Sequence, residues 1–234
     1  MNVKLVSYTP YPDRLVYNAM RACAGKDLEI EVHPMGFPVP QVQAYLINQA
    51  LDSKHMSVLE HINFTFYIEG ISRVCSHQLV RHRHASYSQR SARKQHDVKY
   101  VIPDSVKNEE VGLFAYVQEK EANSIYEHMV EHGVPAEDAR YYRLGGEETS
   151  LLMTVNGSSL YNIAEVRMCT HAQWEIRALV TQMVDLVKKV APISMSRLGP
   201  TCEYQGYCRE GSRSCGNQPT LETLVAYYNN DQEV

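Results

Sequence analysis

Ile62-Asn63-Phe64-Thr65-Phe66-Tyr67-Ile68 alternates apolar and polar side chains, and Gly70 follows it. A period of two puts Ile62, Phe64, Phe66 and Ile68 on one face, so the segment reads as a half-buried strand that Gly70 ends. Directly beyond it, Ile71, Val74, Cys75 and Leu79 return to helical spacing. A strand that turns at once into a helix argues for mixed secondary structure. It also delivers Gln78 and Arg81 from a packed element to the residues that follow.

Outward from this pair the chain alternates in type. Val3 to Tyr8 reads as a short strand. Asp13 is placed to cap a helix with Leu15, Val16, Ala19, Met20 and Cys23 on its apolar side, ended by Gly25. Val42 to Leu51 is a weaker helix. Val111 to His132 is a long amphipathic one with Phe114, Ile125 and Met129 inward, closed by Gly133. A strand around Leu151 to Val155 leads into Asn156-Gly157-Ser158-Ser159, a turn with cap residues that opens a helix to Thr170; such an N-terminus collects anions through its free N–H groups. Ala172 to Val190 is a last long helix with Ile176, Leu179, Val180, Met183, Leu186, Val187 and Val190 inward, stopped by Pro192. There is no internal repeat. Residues 1–195 read as the main domain, and 196–234 as a Cys-containing, mobile or peripheral tail whose Gly, Ser and Arg content argues for loop.

The 234 residues, 44% of them hydrophobic, are enough to bury a sizeable core. No apolar run of 18 residues is present, and Met1 to Pro10 lacks a basic and then apolar leader, so a cytoplasmic setting is expected. Cys23, Cys75 and Cys169 sit among apolar residues, as free thiols do in reducing compartments. Cys202, Cys208 and Cys215 contain no Cys-x-x-Cys pair, and no metal is expected there.

Charge supplies the functional signal. From Gly70 to His96 there are six Arg or Lys, four His and no carboxylate, in a chain whose net charge is -4. At its centre stands Arg81-His82-Arg83-His84-Ala85-Ser86-Tyr87-Ser88-Gln89-Arg90-Ser91-Ala92-Arg93. A solvated face usually mixes signs; here repulsion would stay uncompensated without an anionic ligand. Guanidinium forks hold phosphoryl oxygens bidentately, and neighbouring hydroxyls add bonds. No Gly-x-Gly-x-x-Gly or P-loop follows a strand, so a nucleotide would be held by side chains. A Gly-x-Ser-x-Gly elbow is also missing. His128-Met129-Val130-Glu131-His132 matches the His-x-x-Glu-His pattern of inverted zinc peptidases, but a polar helix face explains it more simply.

Arg81-His82-Arg83, with Ser86, Ser91 and Arg93 at their spacings, resembles the Arg-His-Arg-x-x-Ser-x-x-x-x-Ser-x-Arg signature of the flavin-dependent thymidylate synthases. The resemblance extends to His55 through His61, to Gln78 and Arg140, and to Thr154-Val155-Asn156 through Asn162, Arg167 and His171-Ala172-Gln173-Trp174-Glu175. It runs from about residue 3 to 190. It implies an α+β fold with a mostly antiparallel sheet flanked by helices, assembled as a homotetramer whose sites draw on more than one subunit. The implied reaction is the reductive methylation of dUMP to dTMP, with methylenetetrahydrofolate as carbon donor, FAD as hydride carrier, NADPH as reductant and no enzyme nucleophile.

The resemblance also assigns residues. Arg167 would stabilise negative charge on the activated uracil. Gln78, Leu79, Val80, Arg81, Gln89, Arg90, Ser91, Ala92 and Arg93 would hold dUMP together with Arg167, and Arg140 would reach it from a neighbouring subunit. His55, Ser57, Arg81, His82, Arg83, Gln89, Asn156, Ser158 and Asn162 would hold FAD. Ser158 stands where relatives often carry Arg, Ser88 where they carry Asn and Gln89 where they carry Glu; Lys94 is also unusual. Loss of the Arg at 158 implies weaker FAD retention. A different class of reading uses window 73–94 as a nucleic-acid-binding module with Tyr87 and Tyr100 as stacking platforms; the negative net charge and the compactness of the cluster weigh against it.

Overall fold

A computed structural model of the chain describes residues 1–28, 41–94, 98–107 and 109–230. The side chain of Lys94, the end of the basic window at residues 95–97 with His96, and residues 231–234 of the tail lie outside the described residues. In chain order the elements are β1 (Asn2–Tyr8), α1 (Pro12–Cys23), α2 (Gln41–Asp52), β2 (Asn63–Ser72), α3 (Arg73–Leu79), β3 (Ala85–Gln89), α4 (Glu109–Glu131) and α5 (Ala136–Ala139). They continue with β4 (Glu148–Asn156), α6 (Gly157–Arg167), α7 (Trp174–Val190), α8 (Thr201–Gln205) and α9 (Leu221–Asn230). The strands form one antiparallel sheet in the order β1-β2-β4-β3, the α+β architecture that the resemblance implied; the alternation of periods implied mixed elements only.

The chain divides into two compact units, one of residues 1–2, 67–82 and 87–153, the other of residues 3–66, 83–86 and 154–234. In the first unit Ile68, Ile71, Cys75, Leu79, Tyr126, Leu151 and Met153 form the core. In the second, Phe64 and Phe66 of β2 are fully buried, as are Ile176, Leu179, Val180, Met183 and Val187 of α7. That is the inward face read from its spacing, with Leu186 and Val190 half-buried at its border. Burying a side chain of this size contributes roughly 1.5–3 kcal/mol, so α7 anchors its unit.

Several local expectations change. Asp13 does not cap α1: Tyr11 holds the N-cap position in a left-handed conformation, and Asp13 is buried. Its carboxylate accepts from the Ile193 and Ser194 N–H groups and the Ser194 hydroxyl, tying α1 to the segment after α7. Gly70 does not end β2. It takes φ +69°, and the burial phase slips by one residue, so that Ile71 rather than Gly70 follows Ile68 into the core. Val74, read as inward, is exposed. The helix from Gly157 ends at Arg167, short of Thr170.

The largest difference is α4. Phe114 is 72% exposed and Ile125 is exposed as well, while Ala122 and Tyr126 carry the packing. Met129 is half-buried. The strand β3 was not read at all, because Ala85, Ser86, Tyr87, Ser88 and Gln89 offer no apolar alternation and an edge strand is held by backbone pairing. Cys75 is buried, but Cys23 is exposed and Cys169 half-buried. The tail, read as loop, carries α8 and α9. Among the described residues no helix is long and apolar enough to cross a membrane.

Candidate active site

Ser72 starts α3 by accepting the Cys75 N–H at 3.0 Å, so the chain leaves β2 and enters the helix without an orphaned donor. At the other end of α3, Tyr87 of β3 places its hydroxyl 3.0 Å from the Leu79 carbonyl oxygen and 2.9 Å from that of His82. Burial pushes this phenol up to about 12. The Gln89 amide donates to Ser76 Oγ at 3.0 Å and to Thr149 Oγ1 at 3.3 Å. These bonds fix the start and end of the signature segment to α3 and β4. Leu79 is fully buried, so only its backbone is available to a ligand.

The window without acids in sequence acquires them in space. Arg73 donates to the Arg90 carbonyl at 3.1 Å and lies 3.7 Å from Glu147, which is 3.8 Å from Arg143. Glu147 is only 3% exposed, and the Arg143 guanidinium sits 3.8 Å from the centre of the Tyr126 ring. Arg93 pairs with Glu137 at 3.1 Å, and the Glu137 carbonyl accepts from Arg140 Nε at 3.1 Å. Arg90 lines a 370 Å³ cavity with Glu69 and Glu148. The expected uncompensated repulsion therefore holds for only part of the window. Arg81 and Arg83 are exposed, and among the described residues no carboxylate pairs with either. Neither Glu137 nor Glu147 carried any signal in the sequence as a partner for the window, since they lie far along the chain from Arg93 and Arg73.

In the second unit Asn156 Oδ1 accepts the Ser159 N–H at 2.8 Å and caps α6. A side chain at Gly157 would meet the Leu59 carbonyl at 2.8 Å, so this helix start requires glycine. Two cavities flank α6. The larger, 480 Å³, has Leu51, Met56, Tyr161 and Tyr207 beside Asn162 and Arg209. Asp52, Lys54, Glu165 and Arg197 also line it, so the wall is mixed, with apolar and aromatic surface set among charged groups. The smaller, 270 Å³, holds Arg167 with Cys169, His171, Cys202 and Cys208. Glu165 and Arg209 line both and pair at 3.3 Å. Asp52, also in the larger cavity wall, pairs with the buried Arg197.

His55 and Ser57 are exposed at the 3-10 turn Met56–His61, Ser158 is half-buried, and Arg167 is half-buried at the end of α6. Gln78, Val80, His82, Ser91 and Ala92 are half-buried in the first unit. Of the residues expected to hold FAD, Asn162 alone lines the larger cavity. Tyr207 and Arg209 were missed because the resemblance stops before the tail. Tyr100, offered as a stacking platform, is half-buried with its hydroxyl on Asn123 at 3.2 Å, and burial raises its pKa. The His128 and His132 rings lie 4.0 Å apart on α4, with His132 Nδ1 2.8 Å from the His128 carbonyl oxygen.

A family described as thymidylate synthase complementing protein matches residues 4–193. The flavin-dependent thymidylate synthase of Geobacter sulfurreducens is 40% identical, covering 96% of this chain and 97% of its own. That of Saccharolobus solfataricus is 41% identical over 97% of this chain and 87% of its own, and that of Clostridium tetani 35% over 96% of each. Among solved structures, the UMP/dUMP methylase PolB from Streptomyces cacaoi bound with 5-Br dUMP superposes with a TM-score of 0.71 at 23% identity, covering 83% of this chain and 93% of that one.

Proposed function

The chain belongs to the flavin-dependent thymidylate synthase family, and we propose that it methylates dUMP to dTMP with methylenetetrahydrofolate as carbon donor, FAD as hydride carrier and NADPH as reductant. One observation carries the reading at the level of residues. In a window where Arg73 and Arg93 meet carboxylates, Arg81 and Arg83 remain solvent-facing without an acidic partner among the described residues. Holding a bare guanidinium in place costs nothing in desolvation and leaves its donor fork for phosphoryl oxygens.

In this reading Arg81, Arg90, Ser91 and Arg93 hold dUMP with Gln78 and Gln89, whose Nε2 is engaged and whose Oε1 is left to accept. Leu79, Val80 and Ala92 contribute backbone groups. Arg140 completes the nucleotide site of a neighbouring subunit. The exposed apolar face of α4, with Leu113 at 63% and Phe114 at 72%, supports burial against other copies in a homotetramer.

His55, Ser57, Arg83 and Ser158 offer exposed or half-buried donors suited to a dinucleotide, and Asn156 keeps its Nδ2 for one after capping α6. Asn162 lines the larger cavity, where Tyr161, Tyr207 and Met56 offer apolar surface beside charged groups suited to a dinucleotide. FAD, when bound, supplies the two-electron transfer that reduces the transferred carbon to a methyl group. Arg167 is the positioned cation: aimed at the pyrimidine, it stabilises the negative charge that develops there, which removes the need for an attacking thiolate. The remaining residues orient the reactants and exclude water.

Tritium release from dUMP labelled at C5 tests this reading. Release is expected only with methylenetetrahydrofolate, FAD and NADPH all present; release independent of FAD, or none from flavin-loaded protein, would overturn it.

A further inference from the structure

Three thiols share a cavity wall with Arg167 and have no part in the proposed reaction. Cys169 follows Arg167 at the end of α6, Cys202 lies in α8, and Cys208 comes just after it. All three are free and half-buried, and all three line the 270 Å³ cavity that holds Arg167. Their convergence depends on Gly206. It ends α8 at φ +69°, which turns the chain back so that Cys208 returns to the wall already carrying Cys202. Burial raises the Cys202 pKa, and Glu203, then Cys208 and Cys169, add to the rise. Arg209, next to Cys208, is paired with Glu165 on α6, so this ion pair links the tail at Cys208 to the helix that carries Arg167.

We propose that Cys202 and Cys208 are a redox-active pair, closed to a disulfide by exchange with a small-molecule disulfide, and that closure alters the wall of the Arg167 cavity. Cys208 is favoured over Cys169 as the partner because bridging it to Cys202 closes only the short Gly206 turn. The Cys208 thiolate attacks one sulfur of the small disulfide, whose S–S bond breaks to release one thiolate. The Cys202 sulfur then attacks the Cys208 sulfur, expelling the second small thiol, which takes the Cys202 proton. The pair loses two electrons and the small disulfide gains them as two thiols. The effect on turnover rests on the function proposed above; the pairing itself does not.

A competing site is Cys215, exposed and with its pKa lowered chiefly by a hydrogen bond with the Thr170 side chain. The test therefore uses full-length Cys215→Ser protein, titrated with oxidised glutathione, alkylated and mapped by peptide mass. The expected product is a Cys202–Cys208 bridged peptide lighter by two hydrogens. Its formation should slow tryptic cleavage after Arg209 and depress dUMP turnover, with both restored by dithiothreitol and neither seen when Cys208→Ser is added. Stable glutathione on Cys208 without a bridge, a bridge to Cys169, or no reaction while the exposed Cys23 is modified would each overturn the pair. A bridge that leaves cleavage after Arg209 unchanged would overturn the effect on the cavity wall. Reduced protein without dUMP turnover would count against the proposed function alone, since mapping and proteolysis still decide the pair.

Discussion

Arg73 and Arg81 stand in the same acid-free stretch of sequence, yet the fold treats them in opposite ways. Arg73 is drawn in, bonded to the Arg90 carbonyl and set against the buried Glu147 that Arg143 also approaches. Arg81 is left outside with no acidic partner among the described residues, as is Arg83. One kind of arginine holds the segment in place; the other is what the segment presents. A cationic motif is therefore two populations, and only the second is suited to bind an anion without breaking an existing ion pair.

The sharpest way to break this comparison is Glu147→Ala. Removing the carboxylate leaves two guanidiniums facing each other at low exposure, a loss of about 3–5 kcal/mol on the scale of broken buried pairs. Chemical or thermal unfolding should show it, and a change within experimental error would mean that Arg73 is not held by Glu147. Next in size, Arg167→Ala should lower kcat by roughly 10²–10³-fold, the scale for removing one preorganised donor.

Arg81→Ala and Arg83→Ala should each weaken nucleotide or flavin binding by about 1.5–3 kcal/mol, the worth of a charge-assisted hydrogen bond, without loss of stability. Calorimetric titration with dUMP and with FAD separates the two residues. If Arg81→Ala instead unfolds the protein as Glu147→Ala does, the distinction between inward and outward arginines collapses.

The smallest effect is expected at Tyr87. Tyr87→Phe forfeits hydrogen bonding to Leu79 and His82 worth about 0.5–1.5 kcal/mol net. Because the folded phenol titrates near 12 against an ordinary 10.0, the stability linked to its proton is fully present below pH 10 and is lost as pH rises towards 12. Urea midpoints across that window should fall more steeply for the parent than for Tyr87→Phe.

How far the sequence could be read depended on where each signal is satisfied. The faces of β2 and α7 were legible because their apolar residues are buried within this chain: Phe64, Phe66, Ile68, Ile176 and Met183 are all inaccessible. On α4 the same kind of spacing misled, since Phe114 and Ile125 stay exposed and Ala122 and Tyr126 do the packing. Periodicity identifies an apolar face but not what covers it. β3 was illegible for the opposite reason: an edge strand of Ser, Tyr and Gln is specified by backbone pairing to β4. Among candidate site residues, Asn156 as the cap of α6 was readable from local chemistry, whereas Asp13 was misread as a cap because the groups it accepts from, at Ile193 and Ser194, lie at the far end of the chain.

By itself, then, the sequence determined what depends on near neighbours: the strand-to-helix passage at Ile62 to Leu79, the α6 cap, the Arg-His-Arg segment and, through it, the family. Only the tertiary structure decided which arginines are compensated, which wall faces Arg167, and that Cys202, Cys208 and Arg209 of the tail belong to it. The reason is physical. Hydrophobic period and capping act over one or two turns, but the energy of a charge depends on its distance in space and the medium around it, and Glu137, Glu147 and Glu165 reach Arg93, Arg73 and Arg209 only once the chain has folded.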